Sequence, residues 1–117
     1  MKDFRKMLVW QRCHSLTLKV YRHTKIFPKE ELFGITSQMR RAASSVPANI
    51  SEGCGREGDP ELKRFLNIAL GSACEWDYFT LLAGDLGYLQ PKDRAPLAAE
   101  ILEIRRMPGG FIQKLKA

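Results

Sequence analysis

A length of 117 residues suits one domain (residues 1–117), able to bury roughly two thirds of its unfolded surface without staples, and the formal net charge of +6 makes it a basic one. Three cysteines, Cys13, Cys54 and Cys74, are an odd number with no CxxC pair, which speaks against a disulfide framework or a zinc site and leaves buried or incidental thiols. The charged first residues lead into no signal-peptide core and no run of about 18 apolar residues occurs, so the expectation is a soluble cytoplasmic protein without membrane contact.

From Leu8 to Ile26 the residues Trp10, Cys13, Thr17, Val20, Tyr21 and Thr24 recur three and four apart, which at 3.6 residues per turn makes one helical face. Pro28 supplies a start signal for a second helix, Glu30 and Glu31 suit its positive end, and Leu32, Ile35, Met39, Ala42, Ala43, Val46 and Ile50 form its stripe. Pro47 lies inside that helix. It removes one backbone donor and crowds the preceding turn, which predicts a kink or break between Ala43 and Pro47.

Residues 53–58 are glycine-rich and predict a loop. Asp59-Pro60-Glu61 then restarts the chain as a third helix, with a cap acceptor, a proline and an acid in order. Its stripe is Leu62, Phe65, Leu66, Ala69, Ala73, Trp76, Phe79 and Ala83, closing near Gly87, while Gly71, Ser72 and Ala73 permit close helix contact. After Pro91, Leu97, Ile101, Leu102, Ile104, Met107, Phe111, Ile112 and Leu115 mark a fourth helix, ending or bending at Pro108-Gly109-Gly110. No segment alternates with period two. The fold class that follows is all-α, an antiparallel up-down four-helix bundle with a kink near Pro47.

The charge excess is confined to the first half. Residues 1–58 hold 11 Lys/Arg against 5 Asp/Glu, whereas residues 59–117 hold 8 against 8. Residues 2–29 alone carry Lys2, Arg5, Lys6, Arg12, Lys19, Arg22, Lys25 and Lys29 against a single acid, Asp3. Of these, Arg5, Arg12, Lys19 and Arg22, with His23, lie away from the apolar face of the first helix and form a basic stripe about 25 to 30 Å long. Such a stripe suits phosphates read without sequence preference. Leu8 and Leu18 fall within or beside the same surface, so self-association competes for its area.

Other chemistry finds little support. Gly53-Cys54-Gly55-Arg56-Glu57-Gly58 matches G-x-G-x-x-G, but a helix instead of a strand precedes it, no βαβ unit surrounds it, and Glu57, Asp59 and Glu61 repel phosphate. Its glycines are expected to turn the chain between helices. His14 and His23 are nine residues apart and project from opposite sides of one helix, so they share neither a metal nor a substrate. Glu75 and Asp77 fall on different faces, and no catalytic residue, metal ligand or cofactor site is expected. Gln38, Arg40, Arg41, Asn49, Glu52 and Arg56 surround the second helix and the following turn, where they are candidates for a polar network that holds a loop.

With these residues in view, the sequence resembles the four-helix-bundle family of 23S ribosomal RNA intervening-sequence proteins, whose relatives include accessory proteins of diversity-generating retroelements. The resemblance covers nearly the whole chain. It is carried by Val9-Trp10-Gln11, Phe27-Pro28-Lys29-Glu30-Glu31, the segment Thr36 to Ala43, Ser45 to Gly53, Gly55-Arg56 and Ala69-Leu70-Gly71-Ser72-Ala73. Gln38, Arg40, Arg41, Asn49, Glu52 and Arg56 match the family's signature positions, and Pro108-Gly109-Gly110 departs from its unbroken last helix. The resemblance implies a closed homo-oligomer, a pentameric ring or barrel, without enzymatic activity, and for the retroelement relatives a basic ring that binds nucleic acid and a reverse transcriptase. The functional expectation is therefore a non-enzymatic homopentamer whose basic surface binds RNA or DNA in an rRNA-associated or reverse-transcriptase-accessory role. The alternative is a structural or adaptor oligomer that docks an acidic protein and has no significant nucleic-acid affinity.

Overall fold

Four α-helices follow one another along the chain: α1 (Leu8–Thr24), α2 (Ile35–Gly55), α3 (Asp59–Asp85) and α4 (Pro91–Lys116). The structure, a computed structural model, describes the backbone of residues 2–116 and the side chains of residues 2–107. Each helix packs on its sequence neighbour and α4 returns to α1, while the backbones of the diagonal pairs stay apart among the described residues. That arrangement is an up-down four-helix bundle, 44 Å long and 23 by 20 Å across. No strand occurs among the described residues.

The core is continuous from end to end. Val9, Cys13, Leu16 and Val20 of α1 meet Met39, Ala42, Ala43, Val46 and Ile50 of α2, Leu62, Leu66, Ala69, Ala73, Trp76 and Ala83 of α3, and Leu97, Ile101 and Ile104 of α4. The predicted stripe of α3 is buried almost as read; Thr80 takes a buried place and Phe79 packs at the margin. On α1 the stripe is turned by part of a residue spacing. Val9 and Leu16 are buried, whereas Tyr21 is exposed and Trp10 only partly covered. Large rings at the edge of a helical face cap a core from its rim, which leaves the centre to smaller side chains. On α4, Leu102 is likewise exposed.

Three boundaries differ from expectation. Pro28 opens a 3-10 turn, Lys29–Glu31, and not α2. Gly34, at φ −105° and ψ −121°, interrupts the chain before α2 starts at Ile35, and Leu32 and Phe33 are left facing outward. Gly53, Cys54 and Gly55 belong to the last turn of α2, so the connection to α3 is only residues 56–58, with Gly58 at φ +81° in the region that favours glycine. Finally, α4 continues through Pro108, where an end or bend was expected; the side chains of Phe111, Ile112 and Leu115 lie outside the described residues.

Pro47 does not break α2 either. Without an N–H it cannot serve the carbonyl of Ala43 four residues earlier. The hydroxyl of Thr17 on α1 donates to Ala43 O at 3.3 Å, shared with its own Cys13 O at 2.7 Å. A neighbouring helix thus supplies the donor that proline withholds. One turn on, Ser51 donates to Pro47 O at 2.9 Å and accepts from the indole Nε1 of Trp10 at 3.0 Å, which ties α1 to α2 a second time.

The α2–α3 contact is the most extensive in the bundle, and small residues bring it close. A Cβ added to Gly53 would sit 2.8 Å from Cβ of Phe65 and 3.2 Å from Cδ1 of Leu62. Ala69 and Ala73 are fully buried there, and the hydroxyls of Ser45 and Ser72 meet at 2.9 Å. Gly71 plays no such part, since it is exposed with open space beside it. At the far end α3 closes on Gly87 at φ +81°, whose N–H bonds Gly84 O while Tyr88 N–H bonds Ala83 O.

Candidate nucleic-acid interface

The outward surface of α1 divides lengthwise. Toward α2 it carries an aromatic and apolar edge, in which the Trp10 and His14 rings stack with centroids 5.0 Å apart and the guanidinium of Arg40 lies 4.9 Å over the Tyr21 ring. Tyr21, 41% exposed, leaves part of this edge uncovered, and Leu18, 47% exposed, faces outward beyond it. Toward α4 it carries a cationic edge, because Arg12 and Lys19 are seven residues apart and so fall on one side of the helix two turns from each other. Leu8, 58% exposed, lies one turn before Arg12, and Leu18 one turn before Arg22, so apolar and cationic side chains share the outward surface.

The four predicted cations do not share one environment. Arg5 lies outside α1, in a 3-10 turn at Phe4–Lys6, with its guanidinium 4.5 Å over the Phe4 ring. Arg22 is exposed near the C-terminus of α1. Arg12 pairs with Glu103 of α4, and Lys19 Nζ lies 3.2 Å from Oε1 of Glu100. All four partners are about half exposed, so each pair is screened by water and holds its helix only weakly. Beneath the pairs runs a cleft of about 290 Å³, bordered by Ser15, Leu16 and Ile104. Glu100 and Glu103 are absent from the sequence reading. They lie 81 and 91 residues from their partners, and no spacing rule within one helix connects them.

The six signature residues are spread over separate contacts. Arg41 Nη2 donates to Gln38 Oε1 at 2.8 Å and reaches Glu75 of α3 at 3.5 Å. Arg40 Nε, on the other side of α2, donates to Thr24 Oγ1 at 2.7 Å. Asn49 Nδ2 donates to the carbonyl and hydroxyl oxygens of Ser45 at 2.7 and 3.0 Å and so joins the Ser45–Ser72 contact. Glu52 accepts from Arg56 Nη2 at 2.9 Å. A stretch from residue 38 to 56 spans about 27 Å of helix, too far for one connected network. Arg40 and Arg41 reach α1 and α3, Gln38 and Asn49 bond partners within α2, and the Glu52–Arg56 pair lies exposed at its end.

Two of the three thiols are buried. Burial pushes the Cys13 thiol up to about 12 and raises that of Cys54, so neither supplies thiolate near neutrality. Cys74 is exposed on α3. Tyr88 donates its hydroxyl to Glu31 at 2.9 Å, which raises its pKa above the ordinary tyrosine value and ties the α1–α2 connection to the α3–α4 turn. The G-x-G-x-x-G segment resolves into one glycine against α3, one in the last turn of α2 and one in the turn itself. No described helix is long and apolar enough to cross a membrane.

A family model described as the 23S rRNA-intervening sequence protein matches residues 5–110. Among solved structures, the fold is similar to that of a protein with unknown function from the S23 ribosomal protein family of Bacteroides thetaiotaomicron. The TM-score is 0.83 and the sequence identity 20%, over 91% of this chain and 96% of that one. At that identity the likeness establishes the shared bundle. A comparison with curated proteins finds no match.

Proposed function

This chain belongs to the 23S rRNA-intervening sequence protein family, and from that premise we propose a non-enzymatic cytoplasmic homo-oligomer, a pentamer by family resemblance, whose basic face binds the backbone of RNA or DNA. Its role is rRNA-associated or accessory to a reverse transcriptase. The observation that carries this reading is the charge on α1 and its flanking segments, eight Lys/Arg between residues 2 and 29 against Asp3 alone. A surface of that kind binds phosphates without reading bases, and among the described residues no recognition helix or sheet is aimed at a groove. Self-association is supported by the uncovered Leu8, Leu18 and Tyr21 on the outward surface of α1.

The test is binding of purified, nucleic-acid-free protein to labelled RNA and DNA, single-stranded and duplex, from low to physiological salt. Affinity is expected to fall linearly in log–log form with salt. Replacing Arg5, Arg12, Lys19 and Arg22 together by Gln is expected to weaken it at least about ten-fold and to flatten the slope by up to about 3. No binding at about 50 mM salt by the intact protein would sink the reading. A second reading, an adaptor that docks an acidic protein, is favoured by one end of the bundle, where Phe33 is 91% and Ile26 79% exposed. It would be left standing by assembly without nucleic-acid affinity.

A further inference from the structure

Two of the cations assigned to phosphate binding are already occupied by carboxylates of the same chain. Glu103 holds Arg12, and the two oxygens of Glu100 lie 3.2 and 3.5 Å from Lys19 Nζ. A carboxylate against a guanidinium or ammonium offers the negative charge and acceptor oxygens that a phosphodiester offers. The pairs straddle the cleft over Leu16 and Ile104, and among the described residues α1 and α4 make the slightest contact of the four adjacent helix pairs. The acids therefore stand where a backbone following the cationic edge would place its own oxygens.

We propose that Glu100 and Glu103 are built-in phosphate mimics: they neutralise Arg12 and Lys19 in the free protein and are displaced when a nucleic-acid backbone enters along the α1–α4 cleft. The inference rests on the nucleic-acid reading above and adds the place of entry and its control. The exchange is energetically open because both pairs are partly exposed and such pairs hold weakly. Arg12 and Lys19 are about 10 Å apart along the helix axis, close enough for one polyanionic backbone to engage both. A polyanion offers several phosphates to that edge at once and replaces both carboxylates together, whereas an isolated anion competes with each acid singly. The acids thus raise the charge density a ligand needs before it is held.

The test compares wild type with Glu100→Gln/Glu103→Gln for binding of a labelled RNA duplex and a labelled single strand over a salt series. The variant is expected to bind about five-fold more tightly, the combined worth of two exposed pairs. A control, Glu30→Gln/Glu57→Gln, removes the same two negative charges at exposed positions away from the cleft and is expected to change affinity less than about two-fold, the distant charges being screened. Adding Arg12→Gln and Lys19→Gln to the first variant is expected to erase its gain. Circular dichroism and a thermal scan confirm that each variant keeps the bundle. Equal affinity of wild type and variant overturns the mimicry while leaving nucleic-acid binding in place, as does an equal gain in the control. Absence of binding by wild type and variant alike at low salt overturns the nucleic-acid reading itself.

Discussion

Between α2 and α3 the chain sets Gly53 beneath Phe65, buries Ala69 and Ala73, and joins Ser45 to Ser72 through their hydroxyls. Between α1 and α4 it sets Arg12 and Lys19 against Glu103 and Glu100 over an open cleft. The first seam excludes water and is stabilised by area and close fit; the second admits water and is held by charges that solvent also satisfies. One bundle thus has a side built to stay closed and a side whose contacts exchange at little cost. On the proposed reading, stability and binding fall to different edges of the same fold.

The largest effect on this contrast is expected at the closed seam. Gly53→Val drives a branched side chain into Phe65 Cβ, which cannot swing aside, and should cost about 2 to 3 kcal/mol in urea unfolding. An unchanged midpoint would mean that α2 and α3 fit less tightly than their spacing indicates. Thr17→Val, at the α1–α2 contact, removes the donor to Ala43 O and should cost about 1 to 2 kcal/mol. Pro47→Ala in that background should recover part of the loss, because residue 47 then has an N–H of its own for the same carbonyl. The smallest effect belongs to the open seam: Glu100→Gln/Glu103→Gln should lower stability by only about 0.5 kcal/mol per pair, and less as salt rises. A loss as large as that of Gly53→Val would remove the distinction between the seams.

What the sequence makes legible follows the same division. The α3 stripe could be read because helical periodicity reports burial within one element, and seven of its eight residues are buried. The face of α1 was read less well. Trp10 and Tyr21 look like core residues by composition, yet they lie at the rim, while Leu16 faces inward between basic neighbours. Pro28 resembles a helix start, and only the conformation at Gly34 delays α2 by seven residues. The basic residues of the candidate interface were visible as a local excess of charge. Their acidic counterparts were not, since nothing within α4 marks Glu100 and Glu103 apart from any exposed pair three residues apart. Their meaning arises only when the helix carrying them is laid against α1. Gln38 and Arg41 illustrate the opposite case, neighbours by helical spacing that do meet.

The proline of α2 has a consequence for how the molecule assembles. Taken alone, α2 has a gap at its centre, a carbonyl deprived of its usual donor four residues on. The missing partner is a hydroxyl thirty residues upstream of the proline, on a helix that must itself be docked to present it. The local segment is thus deprived of autonomy, and its completion is deferred to the meeting of two helices. Short helices are marginal in isolation, and one with such a gap is more so. α1 and α2 are accordingly expected to form and melt as one cooperative unit, with the first hairpin as the smallest piece of the chain in which the second helix is whole.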